Sequence, residues 1–180
     1  TACWLCVGMP LAFAETDGLI VNGDFEATTQ AIPPGWTHHT GLGGTAQVVA
    51  GAGHVHEGKQ AVLLKPKAEP TNSSTVLFSG RVKIEPGRRY QATAWAKGKG
   101  RFELSFYQYS PKRAWKSGAG LGVVRVTDEW QLFTLHYGNP PPEIGFVALV
   151  LQASGAGSEV LVDDVSFAVV DSPAGPEGPG

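Results

Sequence analysis

The sequence predicts an all-β fold, an antiparallel two-sheet sandwich, and three observations carry that prediction. Glycine and proline are abundant, at 24 and 13 of 180 residues, and both disfavour helix interiors. Between Gly18 and Val170 no helix-length stretch carries an apolar stripe of helical period. In its place run many short segments rich in β-branched and aromatic residues, bounded by Gly, Pro, Asn and Asp. The chain is 42% hydrophobic and 17% charged, enough apolar content for one domain with its own core.

The predicted strands lie near 19–21, 46–49, 60–64, 75–84, 89–97, 101–109, 122–127, 130–137, 146–152 and 160–169. Turns between them fall at Pro33-Pro34-Gly35, Glu85-Pro86-Gly87, Gly98-Lys99-Gly100 and Asn139-Pro140-Pro141-Pro142. Their spacing suits a sandwich or jelly roll. Successive side chains of a strand point to opposite faces. In 89–97, Ala92, Ala94 and Ala96 share one face, while Gln91, Thr93, Trp95 and Lys97 share the other. In 101–109, Phe102, Leu104 and Phe106 read as core, which leaves Arg101, Glu103, Ser105, Tyr107 and Tyr109 on a wetter face. A hairpin at Gly98-Lys99-Gly100 would put Trp95, Tyr107 and Tyr109 on the same side of one sheet.

Both ends read as segments outside the fold. Residues 1–14 form an apolar run that ends Ala12-Phe13-Ala14, the small-x-small pattern of a signal-peptidase site. The run is too short to span a bilayer, and no later segment could do so. Both cysteines, Cys3 and Cys6, lie in it, so the domain expected over 15–170 contains none. A domain of this size can be exported without disulfides. Residues 171–180, rich in Pro and Gly, read as a linker, and Gly175 to Gly180 also fit two collagen triplets. The expected setting is therefore secreted and extracellular, with further domains of the same chain beyond the linker.

An ordered set of short motifs resembles a known pattern. It opens with Leu19-Ile20-Val21-Asn22-Gly23-Asp24-Phe25-Glu26 and Pro34-Gly35-Trp36. It continues through His56-Glu57-Gly58-Lys59-Gln60, Pro86-Gly87-Arg88-Arg89-Tyr90 and Ala94-Trp95-Ala96-Lys97. It closes with Glu129-Trp130-Gln131 and Val162-Asp163-Asp164-Val165-Ser166-Phe167. In that order the pieces resemble the jelly-roll carbohydrate-binding modules of families four, nine and twenty-two, in the galactose-binding-like superfamily. The resemblance implies a two-sheet sandwich whose chain ends lie close together. It implies a glycan groove across the concave sheet, and a structural calcium tying the first and last strands. Such modules are non-catalytic and are attached to glycoside hydrolases or polysaccharide lyases. The same resemblance gives Trp36 and Trp130 core-packing places.

Alternation in 160–169 puts Asp163 on a face with Leu161, Val165 and Phe167, so its carboxylate is expected to point inward. A buried carboxylate needs a partner, and calcium takes several oxygen ligands. Glu26 would supply a second carboxylate, with Asp164 the adjacent candidate if a bulge alters the facing. The resemblance adds backbone oxygens near Asp24 and in the Gly58-Lys59 turn, so the expected calcium set is Asp24, Glu26, Lys59 and Asp163. The alternative is that Glu26 and Asp163 accept backbone hydrogen bonds at strand ends.

Sugars offer flat C–H faces and many hydroxyls, which aromatic rings and planar polar groups match. Trp95, Tyr107, Tyr109 and Trp115 are the expected stacking residues, and Gln91, Arg101 and Glu103 the expected hydrogen-bonding ones. Trp115 is placed in a basic loop, 110–118. Charge is uneven: eleven of the 14 Lys and Arg residues fall between Arg81 and Arg125, against only Glu85 and Glu103. That surplus fits an anionic glycan or a solvated sheet edge guarded by lysines. The formal net charge of -2 argues against nucleic-acid binding. His54, His56 and Glu57 lack the converging ligands of a zinc site. Glu103 is the only carboxylate that the alternation places on the expected groove, where a glycosidase requires two. The function expected is a secreted, non-catalytic module that binds a polysaccharide or oligosaccharide. The alternative is an adhesion, matrix or spacer domain that binds protein.

Overall fold

The computed structural model describes residues 18–27 and 29–170. The leader expected over 1–14 and the linker expected over 171–180 lie outside the described residues. Ten strands follow in order: β1 (Trp36–His38), β2 (Thr45–Ala50), β3 (Gln60–Lys65), β4 (Ser74–Ser79), β5 (Val82–Lys83), β6 (Arg89–Tyr109), β7 (Trp115–Gly120), β8 (Val124–Val126), β9 (Gln131–Gly138) and β10 (Phe146–Val169). One 3₁₀ turn, Thr40–Leu42, joins β1 to β2. Among the described residues no helix is long and apolar enough to cross a membrane.

Two strands organise the rest. β6 and β10 run antiparallel from Tyr90 opposite Val169 to Tyr109 opposite Phe146. Each passes through both layers of the sandwich. The first layer holds β2, β3, the later half of β10, the earlier half of β6, and β9. The second holds β1, β4, the earlier half of β10, the later half of β6, and the edge strands β7 and β8. The ribbon turns between layers at Gly98 and Gly100, whose φ angles are 127° and 125°. No hairpin forms at Gly98-Lys99-Gly100. Backbone angles of this kind are cheap only for glycine, and here they bend a strand that continues.

The core lies between the layers. Ala92, Ala94 and Ala96 face inward from one half of β6, and Phe102, Leu104 and Phe106 from the other. Rings meet across the layers: Phe102 lies 5.0 Å from Phe133, and Phe106 5.2 Å from both Tyr137 and Phe167. Small residues on one layer thus make room for large ones on the other, which allows dense packing. The inward alternation read from β6 is therefore realised.

Three expectations about elements change. Residues 19–21 form no strand; Leu19 N–H donates to Phe167 O at 2.7 Å, and Val165 N–H donates to Gly23 O at 2.8 Å. The opening segment still lies against the end of β10, anchored by the fully buried Phe25, which packs 5.4 Å from Trp36. The run 75–84 breaks at Gly80 into β4 and β5, and Trp115 opens strand β7 where a loop was expected. Gly98→Ala tests the corner. An added Cβ would run into the carbonyl oxygen of Glu159, and backbone on both sides is held by pairing. Urea denaturation should show a loss of about 2–4 kcal/mol, whereas the open Gly157 should lose less on the same change.

Candidate functional site

The outer face of the second layer is built from the residues of β4, β6 and β10 that alternate away from the core. β6 contributes Arg101, Glu103, Ser105, Tyr107 and Tyr109; β10 contributes Phe146, Ala148, Val150, Gln152 and Ser154; β4 adds Val76 and Phe78. Several of these are buried although they stand outside the core cluster. Val150 is 1% exposed, and Ser105 and Tyr109 are each 7% exposed. Larger neighbours on the same face shield these residues from water, and we read the middle of the face as a hollow. On the β7 side, Gly118 stands opposite Tyr107 and Gly120 opposite Ser105. A Cβ at Gly120 would press on Ser105, so the glycines leave this side of the hollow without walls.

The hollow carries rings with free surface and polar groups beside them. Tyr107 is half-buried, 6.4 Å from the equally half-buried Phe78. Burial pushes its phenol above the usual range, with Tyr109 and Glu103 adding to the shift. Glu103 and Gln152 are paired across β6 and β10 two rows along from Tyr107. Trp115 stands at the rim, paired with Tyr109 and 63% exposed. Two guanidiniums close one end: Arg81 lies 4.1 Å over the Tyr109 ring, and Arg113 5.0 Å over Phe146. Tyr109 is therefore already capped on one face. Sequence reasoning missed Phe78 and Gln152, because partner strands decide which face of a short run is outward, and it had Arg81 and Arg113 only as members of the basic stretch.

Trp95 and Gln91 belong elsewhere, which corrects the expectation of one shared face. With no hairpin at residues 98–100, 89–97 lies in the first layer, and its outer side is the opposite surface of the sandwich. Gln91 sits there between His136 and Ala168. Trp95 is covered by His56, stacked at 4.0 Å and 17°. His56 in turn meets Trp130 edge-on at 5.6 Å, and Lys97 Nζ lies 4.9 Å over Trp130 while donating to Gly53 O at 2.9 Å. The loop over 51–58 is thus laid on this face and pinned. Trp130 packs here on the outer side, while Trp36 is in the core.

Asp163 pins the same loop. A register shift between Asp163 and Ser166 leaves Asp163 opposite Trp95 on the outer side, with Val165 and Phe167 turned inward. Its inward facing is corrected by this bulge, at which Asp164 has φ 46°. Asp163 is nonetheless 0% exposed. Its Oδ2 accepts the N–H groups of His56 at 2.8 Å and Glu57 at 3.4 Å, and its Oδ1 accepts that of Asp164 at 2.8 Å. Asp164 Oδ2 lies 2.6 Å from His56 Nδ1. Glu26 Oε1 accepts the N–H groups of Lys59 at 2.6 Å and Gln60 at 2.8 Å, which hold its carboxyl below the usual range. Lys59 thus meets Glu26 through its amide N–H. Asp24, Glu26, Glu57, Gly58 and Asp164 line one pocket beside these bonds. Among the described residues no three His, Cys, Asp or Glu side chains converge tightly enough to form a ready-made metal cluster.

The architecture is a jelly-roll β-sandwich, and solved carbohydrate-binding modules share that fold. Two solved modules share it: TmCBM61, in complex with beta-1,4-galactotriose, at 21% identity and TM-score 0.62, covering 85% of this chain and 99% of that one; and the CBM22-1 xylan-binding domain of Paenibacillus barcinonensis Xyn10C, at 16% identity and TM-score 0.61, covering 88% and 97%. A cyclase from Fischerella sp. TAU is similar at 15% identity and TM-score 0.68, covering 86% of this chain and 97% of that one. The enzymatically active domain of tailspike protein 4 from bacteriophage CBA120 matches at 16% identity and TM-score 0.63, but this chain spans only 21% of it. No protein-family model and no curated protein matches the chain. The resemblance to family twenty-two is thus met in the fold.

Burial is the main cause that pushes the Asp163 carboxyl up from 3.8 to about 6, against its backbone hydrogen bonds. The folded state then binds a proton more tightly than the unfolded one, so stability from this group is greatest below about pH 4 and is lost as pH rises through about 6. In chelator, the stability difference between wild type and Asp163→Asn should shift by on the order of 3 kcal/mol across that window. A flat difference in urea melts at stepped pH would remove the desolvated-carboxylate account.

Proposed function

We propose that this domain is a secreted, non-catalytic carbohydrate-binding module that holds a polysaccharide in the hollow of the second layer, tethered to further domains of a larger extracellular protein. The observation that carries the reading is the set of uncovered rings. Tyr107, Phe78 and Trp115 keep surface for a sugar face, and Glu103 and Gln152 stand beside them for hydroxyls. The fold shared with modules solved with galactotriose or described as xylan-binding supports it. Secretion rests on the apolar run before residue 15. The surplus of base between Arg81 and Arg125 favours an anionic polysaccharide. Trp95, under His56, is proposed as a packing residue. Leu121, Val123 and Val124 are exposed along the β7–β8 edge; they favour the second reading, a protein-binding adhesion or spacer domain.

Affinity electrophoresis against xylan, β-1,4-galactan and polygalacturonate tests this. Tyr107→Ala and Trp115→Ala should each weaken retention by about three- to tenfold, while Trp95→Ala should lower the melting temperature and leave retention intact. Retention lost in folded Trp95→Ala but kept in Tyr107→Ala would move the site to the first layer. No retention of the folded wild type by any glycan would favour the protein-binding reading.

Calcium is proposed at the pocket of Asp24, Glu26, Glu57 and Asp164. The donor set fits a hard cation, being carboxylates with no sulfur or free imidazole. Lys59 and Asp163 would act there through backbone bonds that hold Glu26 and the loop over 51–58 in place. Its role would be to tie the opening segment to the end of β10. Millimolar calcium should raise the melting temperature by several degrees over chelator, and Asp164→Asn should remove most of that rise. Equal melting in calcium and chelator would refute the site.

A further inference from the structure

A second feature sits at the corner where β6 and β10 pass between layers. On the outer face of the second layer, Arg101 of β6 stands directly opposite Arg125 of β8, and both are exposed. Directly opposed residues of an antiparallel pair have Cβ atoms about 5 Å apart, and like charges there are destabilising. Lys99 adds a third cation. The three line one pocket with Thr71 and the glycine- and serine-rich stretch Ser154, Gly155, Ala156, Gly157 and Ser158.

Glu159 stands opposite Lys99, but no ion pair among the described residues answers the two arginines. Among the described residues the ion pairs are His56 with Asp164 and Lys65 with Glu159, and none involves Lys99, Arg101 or Arg125. Glu159, the acid on this rim, is held by Lys65 at 2.5 Å, with Lys99 a weaker contributor to its lowered pKa. Glu103 lies one row further along the outer face. The pocket wall is fixed: Gly155 N–H donates to Ser73 O at 2.9 Å, and Ser158 Oγ donates to Ser154 O at 2.8 Å. At Gly100 a side chain would collide with Ser158, so the backbone comes close to the cations.

We infer that this corner is an oxyanion site, and that it takes the carboxylate or sulfate ester of an acidic polysaccharide whose rings lie in the hollow. Two guanidinium forks side by side match a planar carboxylate or a tetrahedral sulfate, and a bound anion relieves the repulsion between Arg101 and Arg125. Six residue steps along β6 lead from Arg101 to Tyr107, about 20 Å of strand, so a chain lying along β6 reaches both. The identity of the carrier rests on the carbohydrate-binding reading; the pocket rests on the opposed arginines.

The test uses Arg125→Gln, at an exposed edge position, with Lys67→Gln as a control of equal charge change outside the pocket. Retention by polygalacturonate and dextran sulfate should weaken about fivefold or more in Arg125→Gln and stay near wild type in Lys67→Gln. Sodium sulfate, titrated at constant ionic strength, should shift the amide resonances of residues 99–101 and 155–158 in wild type and Lys67→Gln but not in Arg125→Gln. Equal weakening in both variants, or in neither, would overturn the inference, since the charge would then act as a diffuse field. Retention by neutral xylan or galactan but by no acidic glycan would overturn it and leave the proposed function standing. If no glycan is retained, the carrier fails; sulfate shifts at the corner then preserve the pocket, and their absence removes it too.

Discussion

The bend in the β6–β10 ribbon is the constraint on which the molecule depends. Two long strands stay hydrogen-bonded to each other through both layers, so every other strand pairs with one of them or with a neighbour that does. The bend requires backbone angles that Gly98 and Gly100 supply without strain. It also requires that no side chain occupy the space taken by Ser158 and Glu159 on the facing strand. Once the ribbon is folded over, Ala92 to Ala96 and Phe102 to Phe106 must face each other across the core. Their alternate residues must then lie on opposite outer surfaces of the sandwich.

Those two surfaces have been used differently. On the first layer the bulge at Asp163 and Asp164 presents carboxylates outward. The N–H groups of His56, Glu57 and Asp164 satisfy Asp163 there. The loop over 51–58 is drawn onto the sheet as a result, and its His56 ring covers Trp95. A buried carboxylate without such donors would be costly, so the bulge and the loop need each other. Among the described residues no such loop is pinned across the middle of the second layer. β7 brings glycines at positions 118 and 120, and the face stays open on that side.

The sequence made the inward faces legible because a period of two with small or aromatic residues is a local signal. It also made the closeness of the chain ends legible through the opening and closing motifs, which meet at Leu19, Gly23, Val165 and Phe167. The corner was not legible. Gly98-Lys99-Gly100 has the composition of a turn, and only pairing with β10 distinguishes a bend from a reversal. That single ambiguity moved Trp95 and Gln91 to the wrong surface. Asp163 was misplaced for a related reason, since an inserted residue in a strand reverses the parity of everything before it. The alternative that its oxygens accept backbone N–H groups describes the observed bonds, and Asp164 at the bulge is the carboxylate that reaches the pocket. Trp115 was taken as a loop residue because Gly118 and Gly120 dilute the strand signal of β7.

How the aromatic residues divide between folding and recognition follows from where water has already been removed. A ring contributes to binding roughly in proportion to the apolar area that the ligand newly covers. Tyr109 beneath Arg81, Trp95 beneath His56 and Trp130 against Lys97 have given much of that area to the fold. Tyr107, Phe78 and Trp115 have not, and they lie on connected strands of one outer face. Tyr107 differs from the other two in holding a phenol whose pKa burial, then Tyr109 and Glu103, push above the usual range, so it can donate a hydrogen bond as well as offer a ring. Arg101 and Glu103 of β6 sit toward the corner and the rings toward the far end, where Arg81 and Arg113 also lie. A ligand that matched both would present flat rings at one end and a charged or hydroxyl-rich group at the other. On the carbohydrate-binding reading proposed above, an acidic group of a bound chain would be drawn to Arg101, Arg125 and Lys99 at the corner, while its rings would lie toward Tyr107.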